Sequence, residues 1–220
     1  MRDDHGMLTL YGNLESGNVY KVRLLLAQLG LAHRRVEVNQ VRGEPMTAAF
    51  RAINPIGKVP ALRFADGRLL SESGAILYYL ALGSRFWPAA AWDQAEALRW
   101  MFFEQYSHEP CIAVNRYLLR FTDDPGAHAA RVEANAVKGH HALSVMEQHL
   151  TAQDWFTGET YGIADIALFA YSHVADEGGF DLAGYPALCR WLARVAAQPG
   201  HIALLQESSA APVARLEALA

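Results

Sequence analysis

The sequence changes in character near residue 83, and this change limits what the chain can fold into. Up to Gly83, short strand-like runs alternate with helix-like segments in the order β-α-β, helix, β-hairpin, helix. The hairpin is indicated by Asp66-Gly67, which lies between two short apolar runs. A mixed four-stranded sheet with helices on both faces accommodates this order of elements.

Beyond Pro88 the pattern is helical throughout. Apolar residues recur at helical spacing over 92–121 and 128–150, and again over 163–175 and 186–197. The sequence therefore predicts an α/β domain followed by an all-α domain. Glycine and proline mark the boundaries, which give an α/β domain over residues 7–83, a linker over 84–91 and an all-helical domain over 92–206.

Composition narrows the classes of function. The formal net charge of −4 argues against nucleic acid or an anionic membrane as a partner. Charges or glycines interrupt every apolar run before it reaches the roughly 18 residues of a membrane helix. The polar stretch Met1–Gly6 has the features of neither a secretory signal nor a transit peptide. Cys111 and Cys189 form no redox or metal pair by spacing, so we expect a reducing, cytoplasmic location.

The turn after the first strand, Asn13–Asn18, is the first stretch that suggests chemistry. Ser16 and Asn18 lie where a strand passes into a helix, and the positive end of the helix dipole there favours an anion such as a thiolate. Either side chain could equally do no more than cap the helix. The turn alone does not decide between these alternatives.

Two further stretches suggest peptide recognition. Pro60 stands where the third strand should begin, and a cis Val59-Pro60 bond would turn the Val59 backbone N–H and C=O toward an extended peptide ligand. A plain turn is the alternative. Glu72 and Ser73 precede an apolar helical run, where they could bind the ammonium and carboxylate of an amino-acid head group. The alternative for this pair is an ordinary helix start.

Together these stretches resemble the glutathione transferase superfamily, over about residues 7–206 and with their spacing intact. The specific part is "VPAL" followed, after the hairpin, by "ESGAILYYL". The resemblance implies an N-terminal thioredoxin-like domain and a C-terminal helical bundle. It also implies glutathione as co-substrate, with Val59 on the cysteinyl backbone, Pro60 cis, Glu72 and Ser73 on the γ-glutamyl end, and Lys58 toward the glycyl carboxylate.

The chain departs from the family pattern at several positions. Ser16 matches the serine of theta-like members, while Ser16-Gly17-Asn18 is similar to the Thr-Pro-Asn turn of the bacterial nu-like group. Neither the tyrosine of alpha-, mu- and pi-like members nor the cysteine of beta-like members stands in this turn. Pro45 stands where theta-like members have a histidine directed at the glycyl carboxylate. Lys58, with help from Arg42, must therefore make that contact. Gly162 takes the hydroxyl position of a capping motif in which Asp165 is interpreted as structural.

The helical half offers weaker candidates. Tyr106, His108 and Ile112 fall on the helix that lines the second-substrate pocket in the family, and Pro110 should kink that helix. We predict no metal site, because His140-His141 and His149 lie on one helix with no carboxylate to complete a set. Cys111 is interpreted as a packing group.

The leading hypothesis is a glutathione S-transferase in which Ser16 and Asn18 stabilise the glutathione thiolate for attack on a small, mostly apolar electrophile. Two alternatives stay open: a glutathione-dependent disulfide-bond reductase or peroxidase of the nu-like type, and a non-catalytic binding protein with the same fold. The resemblance also implies a homodimer, in which each thioredoxin-like domain pairs with the helical domain of its partner.

Overall fold

The structure is a computed structural model that describes residues 6–216. Residues up to Ser84 and the segment from Pro199 onward form one compact unit, and Arg85–Gln198 form a second. The structure thus groups 199–206 with the sheet, whereas the sequence prediction gave them to the helical domain. Most of the polar N-terminal stretch, from which we expect no targeting signal, lies outside the described residues, as does the end of the alanine-rich tail.

The first unit is built on a mixed sheet with the strand order β4-β3-β1-β2-β5. Strand β1 is parallel to β2 and antiparallel to β3, and β3 and β4 form the hairpin predicted at Asp66-Gly67. The strands are β1 (Leu8–Tyr11), β2 (His33–Glu37), β3 (Ala61–Arg63), β4 (Leu69–Ser71) and β5 (Ala214–Arg215). The helices are α1 (Gly17–Leu29), α2 (Ala48–Arg51) and α3 (Ser73–Ala81).

Apolar residues at helical spacing from Asn18 to Leu29, followed by Gly30, predict a helix, and α1 runs from Gly17 to Leu29. Ser16 is the N-cap, and Gly30 ends the helix in the left-handed conformation at φ 66°, which glycine adopts without strain. Most apolar residues of α1 are buried, as are all four residues of β1. The helix is thereby fixed against the sheet, and its N-terminus lies at the end of β1.

The predicted mixed sheet is confirmed, and β5 adds a fifth strand to the predicted four, next to β2. Val36 and Glu37 pair in parallel with Ala214 and Arg215. A strand of two residues in an alanine-rich tail has no alternating pattern, so nothing local marks it. It is held instead by contacts with residues far away in the sequence.

Polar contacts attach the segment before β5, residues 199–210, to α1 and β2. The Tyr20 hydroxyl donates to the Ile202 carbonyl at 2.7 Å. The Arg23 guanidinium, which has no exposed surface, donates to the Leu204 carbonyl at 2.7 Å and also to the Gln206 carbonyl. The Ala210 N–H donates to the His33 carbonyl at 2.7 Å. Buried polar groups on α1 therefore hold the C-terminal segment in place.

The second unit contains only helices among its described residues. A π-helical turn at Glu104–His108 separates α4 from α5, where the sequence predicted a single helix kinked at Pro110. Pro110 lies in the first turn of α5, a position at which helices tolerate proline. The helices are α4 (Ala91–Phe103), α5 (Glu109–Arg120), α6 (Ala129–Ala152), α7 (Ile163–Ser172) and α8 (Pro186–Ala196). No helix within residues 6–216 is long and apolar enough to cross a membrane.

Asp165 lies at the centre of this unit, without any exposed surface. Its Oδ2 accepts from the Gly162 N–H at 3.0 Å, and its Oδ1 accepts from Trp191 Nε1 at 2.8 Å and from the Phe156 N–H at 3.2 Å. Burial raises the pKa of Asp165 to about 6, against the opposing effect of these hydrogen bonds. The carboxyl group joins α7, α8 and the preceding loop, in the structural role that the sequence suggested.

Replacing Arg23 tests what holds the C-terminal segment. Arg23→Met removes charge-assisted hydrogen bonds to two carbonyls, so the free energy of unfolding of the first unit should fall by about 3 kcal/mol. Hydrogen exchange at the Ala210 N–H should become faster. Tyr20→Phe removes one neutral hydrogen bond and serves as the milder control, at about 1 kcal/mol. Unchanged exchange at Ala210 in Arg23→Met would show that other contacts hold the segment.

Asp165 gives the helical unit a specific dependence on pH. Because the folded pKa of about 6 exceeds the ordinary value of 3.8, the stabilisation from this group is full below pH 3.8 and is lost as the pH rises through 6. The difference between the two values corresponds to roughly 3 kcal/mol. All five tryptophans lie within 87–191, so their fluorescence in urea reports on the unfolding of this unit.

The control for this pH dependence is the variant Asp165→Asn, whose side chain has nearly the same shape and does not titrate. We expect the stability advantage of the wild type over this variant to shrink by roughly 2 kcal/mol between pH 4.5 and pH 7.5, because part of the stabilisation is already lost at pH 4.5. An advantage that stays constant over this range would contradict the expectation.

Candidate functional site

The turn between β1 and α1 is held in a tight path. Gly12 has a φ of 155°, and a Cβ built on it would meet Val19 Cγ2 at 2.4 Å, so only glycine fits there. Asn13 Oδ1 then accepts from the Ser16 N–H at 2.8 Å. The close approach and the side-chain bond together direct the chain from the strand into the first turn of α1.

Ser16 forms the cap that was one of its two sequence interpretations. Its backbone is extended, and its Oγ accepts from the Val19 N–H at 3.3 Å. A hydroxyl that accepts a capping bond still has one hydrogen to donate. Capping is thus compatible with a contact to an anion, although the side chain is already engaged in holding the helix.

Asn18 lies in the first turn of α1 and connects this helix to α3. Its Oδ1 accepts from Lys21 Nζ at 2.7 Å and from Ser73 Oγ at 3.2 Å. Residues that the sequence assigned separately to a sulfur and to an amino-acid head group are therefore within hydrogen-bond distance of each other. The N-termini of α1 and α3 meet at this amide.

The Val59-Pro60 peptide bond is cis, as the resemblance implies. Pairing of β3 begins at Ala61, opposite Tyr11 on one side and Ser71 on the other, so Val59 lies just before the ladder. Val59 is 6% exposed, while the Lys58 side chain is exposed.

A side chain that the sequence analysis missed shapes this loop. Asn54 is 2% exposed; its Nδ2 donates to the Lys58 carbonyl at 2.7 Å and its Oδ1 accepts from the Ile56 N–H at 3.2 Å. The Asn54-Pro55 dipeptide is a turn signal that could have indicated this role. Asn54 fixes the backbone that leads to Val59.

Glu72 has an unusual backbone conformation. Its φ is 67° and its ψ 115°, and among residues 6–216 it alone combines a positive φ with a side chain. Such a conformation is costly and occurs often at ligand clamps. The Glu72 side chain is exposed, whereas Ser73, the first residue of α3, is buried. The strained residue therefore presents its carboxylate beside the start of a helix.

Pro45, one of the positions at which the sequence departs from the family pattern, lies in the first unit. Pro45 is buried in a short 3-10 turn, Glu44–Met46, and its carbonyl oxygen would lie 3.1 Å from a Cβ on Gly57. Arg42 and Lys58 are both exposed. The cations available for a carboxylate are therefore on the surface here, and Pro45 acts as a packing residue.

The candidates for a second-substrate pocket differ sharply in exposure. Tyr106, on the π-helical turn, is 87% exposed. His108 and Ile112 have no exposed surface, and His108 Nε2 lies 2.9 Å from Ser172 Oγ. Helical periodicity could not distinguish the two sides of a helix packed within a bundle. The burial of His108 and Ile112 argues against ligand contact by either, which leaves Tyr106 of the three.

Two of the three histidines set aside as metal ligands have partners in the protein. His140 Nδ1 lies 2.9 Å from the Tyr185 hydroxyl, and His149 Nε2 lies 3.0 Å from the Trp155 carbonyl. Within the part of the chain that the structure describes, no cluster of acidic, histidine or cysteine side chains is suited to a metal. Cys111 is buried, and burial raises the pKa of its thiol.

Two family models match this chain, and each corresponds to one of its two units. The family model "Glutathione S-transferase, N-terminal domain" matches residues 6–82, and "Glutathione S-transferase, C-terminal domain" matches residues 93–199. The disulfide-bond oxidoreductase YfcG of Escherichia coli is 30% identical over 189 residues, which cover 83% of this chain and 87% of that protein.

Solved structures are similar over most of the chain. A glutathione S-transferase from Pseudomonas fluorescens has a TM-score of 0.89 and 45% identity, covering 91% of this chain and 100% of that one. A glutathione transferase from Burkholderia graminis, with two glutathione molecules bound per subunit, has a TM-score of 0.77 and 28% identity, covering 88% of this chain and 85% of that one.

Proposed function

This chain belongs to the glutathione S-transferase superfamily, and we propose that it binds glutathione in its first unit and directs the thiolate at a small, mostly apolar electrophile. The observation that carries the proposal is the contact of Asn18 Oδ1 with Ser73 Oγ at 3.2 Å. It brings the group proposed for the sulfur next to the group proposed for the γ-glutamyl end. The proposal includes a homodimer, as the family resemblance implies.

The proposed binding mode assigns each part of glutathione to one element. The Glu72 carboxylate takes the γ-glutamyl ammonium, and Ser73 at the start of α3 takes the γ-glutamyl carboxylate. The backbone of Val59, just before the β3 ladder, pairs with the cysteinyl residue as an added strand would. Lys58, whose side chain is exposed, takes the glycyl carboxylate.

The proposed chemistry begins with loss of the thiol proton. A free thiol has a pKa of about 8.5 and is only a few per cent ionised at neutral pH. Donors at the start of α1 stabilise the thiolate: the Ser16 hydroxyl, the Asn18 amide and the N-terminus of the helix. The proton leaves to solvent, the sulfur forms a bond to the electrophilic carbon, and the leaving group departs with its electron pair.

Disulfide reduction is the second candidate, supported by two observations on relatives. One relative is named a disulfide-bond oxidoreductase, and another holds two glutathione molecules per subunit. The turn from Gly12 to Asn18 contains no cysteine, so such a cycle would use glutathione sulfur alone. One thiolate would attack the disulfide, and the thiol of lower pKa would leave.

A non-catalytic binding protein of the same fold is the candidate from a different class. It requires the glutathione ligands but not the donors to the sulfur. Retention on immobilised glutathione without turnover of an aryl halide or a mixed disulfide would support it over both enzymatic candidates.

Substitution of Asn18 tests the thiolate site. Asn18→Ala should lower kcat/KM on the order of 10²-fold, because a positioned donor to a developing anion is lost. Asn18→Asp is the matched variant: it keeps an acceptor for Lys21 and Ser73 but replaces the Nδ2 donors by a carboxylate oxygen. It should lose at least as much activity, whereas a purely structural role for Asn18 predicts that Asp restores it.

Ser16→Ala separates capping from catalysis. Because its Oγ caps α1, the variant should lose about 1 kcal/mol of stability and less activity than Asn18→Ala. Activity that falls more in Ser16→Ala would indicate a theta-like site. If neither variant lowers kcat/KM by about threefold, the thiolate is held elsewhere.

The cysteines test which thiols take part in any redox cycle. Cys111 is buried and Cys189 exposed, and neither lies in the turn before α1. We expect the double variant Cys111→Ala, Cys189→Ala to retain nearly all disulfide reductase and conjugating activity. A folded double variant that binds glutathione but no longer reduces a mixed disulfide would place a protein thiol in the cycle.

A further inference from the structure

Lys21 is an unusual residue to find in the interior of the first unit. It lies on α1, one turn after Asn18, and is 1% exposed. Lysine is almost never so deeply buried unless its ammonium is paired. One of its contacts is the 2.7 Å hydrogen bond from Nζ to Asn18 Oδ1.

The chemistry of the two groups fixes the orientation of the Asn18 amide. An ammonium has donors and no acceptor, so it can pair with Oδ1 and is repelled by the Nδ2 hydrogens. A 180° flip of the amide would bring Nδ2 against Lys21 Nζ. The donor end of Asn18 must therefore point away from Lys21.

We propose that Lys21 is a positioning residue for the thiolate: its ammonium holds Asn18 Oδ1 so that the Nδ2 donors face the glutathione sulfur. This inference rests on the proposed function. The hydrogen bond to a charged donor also polarises the amide and makes its N–H groups better donors to an anion.

Ser73 alone cannot supply this orientation once glutathione is bound. Its hydroxyl has a single hydrogen, which is donated to Asn18 Oδ1 in the present structure. In the proposed binding mode the γ-glutamyl carboxylate competes for that hydrogen. Lys21 keeps its contact with Oδ1 when the serine hydroxyl turns to the ligand, so the amide keeps its orientation in the complex.

The experiment compares Lys21→Met with the wild type. Methionine fills similar space but has no donor and no charge. The readouts are the pH profile of kcat/KM and the ultraviolet absorbance of the thiolate of bound glutathione. We expect the pKa of the bound thiol to rise, with kcat/KM near pH 6.5 reduced about tenfold and the KM for glutathione changed much less.

A double-mutant cycle shows whether Lys21 acts through Asn18. In the Asn18→Ala background, Lys21→Met should have almost no further effect on kcat/KM. Full additivity would overturn the inference, because Lys21 would then act independently of Asn18. Lys21→Arg keeps the donors and the charge and should restore most of the activity. Lys138→Met removes an exposed positive charge from the second unit and should leave the pH profile unchanged.

The outcomes separate this inference from the function on which it rests. A wild type that neither binds glutathione nor turns over an aryl halide or a mixed disulfide refutes the proposed function. A wild type that does both, with a pH profile unaltered in Lys21→Met, refutes only the role of Lys21. If Lys21→Met does not fold, Lys21→Gln takes its place with the same readouts. If the thiol of bound glutathione has the same pKa in folded Lys21→Gln as in the wild type, the inference is overturned.

Discussion

Burial of cations organises the first unit of this protein. Lys21, Arg23 and Arg35 are each less than 5% exposed, and a buried cation must be surrounded by oxygen atoms to offset the loss of water. Lys21 takes the side-chain oxygen of Asn18, and Arg23 takes backbone carbonyls of the C-terminal segment. The same requirement thus determines both the orientation of a site residue and the path of the end of the chain.

Arg35 links these two regions through one guanidinium. It donates to the Gly12 carbonyl at 2.8 Å, directly before the turn that leads to Ser16. It also pairs with Glu37 at 2.5 Å and with Glu207 at 2.8 Å. Burial alone would raise the pKa of Glu207, but the hydrogen bonds from Arg35 hold it below its ordinary value. The C-terminal segment and the backbone that leads into the candidate site therefore share one charged group.

The sequence predicted the features that depend on residues close to one another in the chain. Helical periodicity and Gly30 predicted the limits of α1, and Asp66-Gly67 predicted the hairpin. The sequence did not predict β5, because this strand is defined by pairing with β2, more than 170 positions away. In the site, the pattern around Ser16 could not separate a cap from an anion ligand, since both use the same residue types. The Lys21–Asn18 contact has helical i, i+3 spacing, but spacing alone does not indicate that the lysine is buried.

The donors proposed for the sulfur do not by themselves decide between conjugation and disulfide reduction. Both reactions begin with a thiolate, and an amide donor stabilises it in the same way whether the next bond is to carbon or to sulfur. Specificity must come from whatever holds the second substrate. In the helical unit the π-helical turn at Glu104–His108 exposes Tyr106 while it leaves His108 buried against Ser172. Such turns occur often at functional sites, because the extra residue redirects a side chain without ending the helix. The π-helical turn therefore decides which of the three candidates for the second-substrate pocket reaches solvent, namely Tyr106.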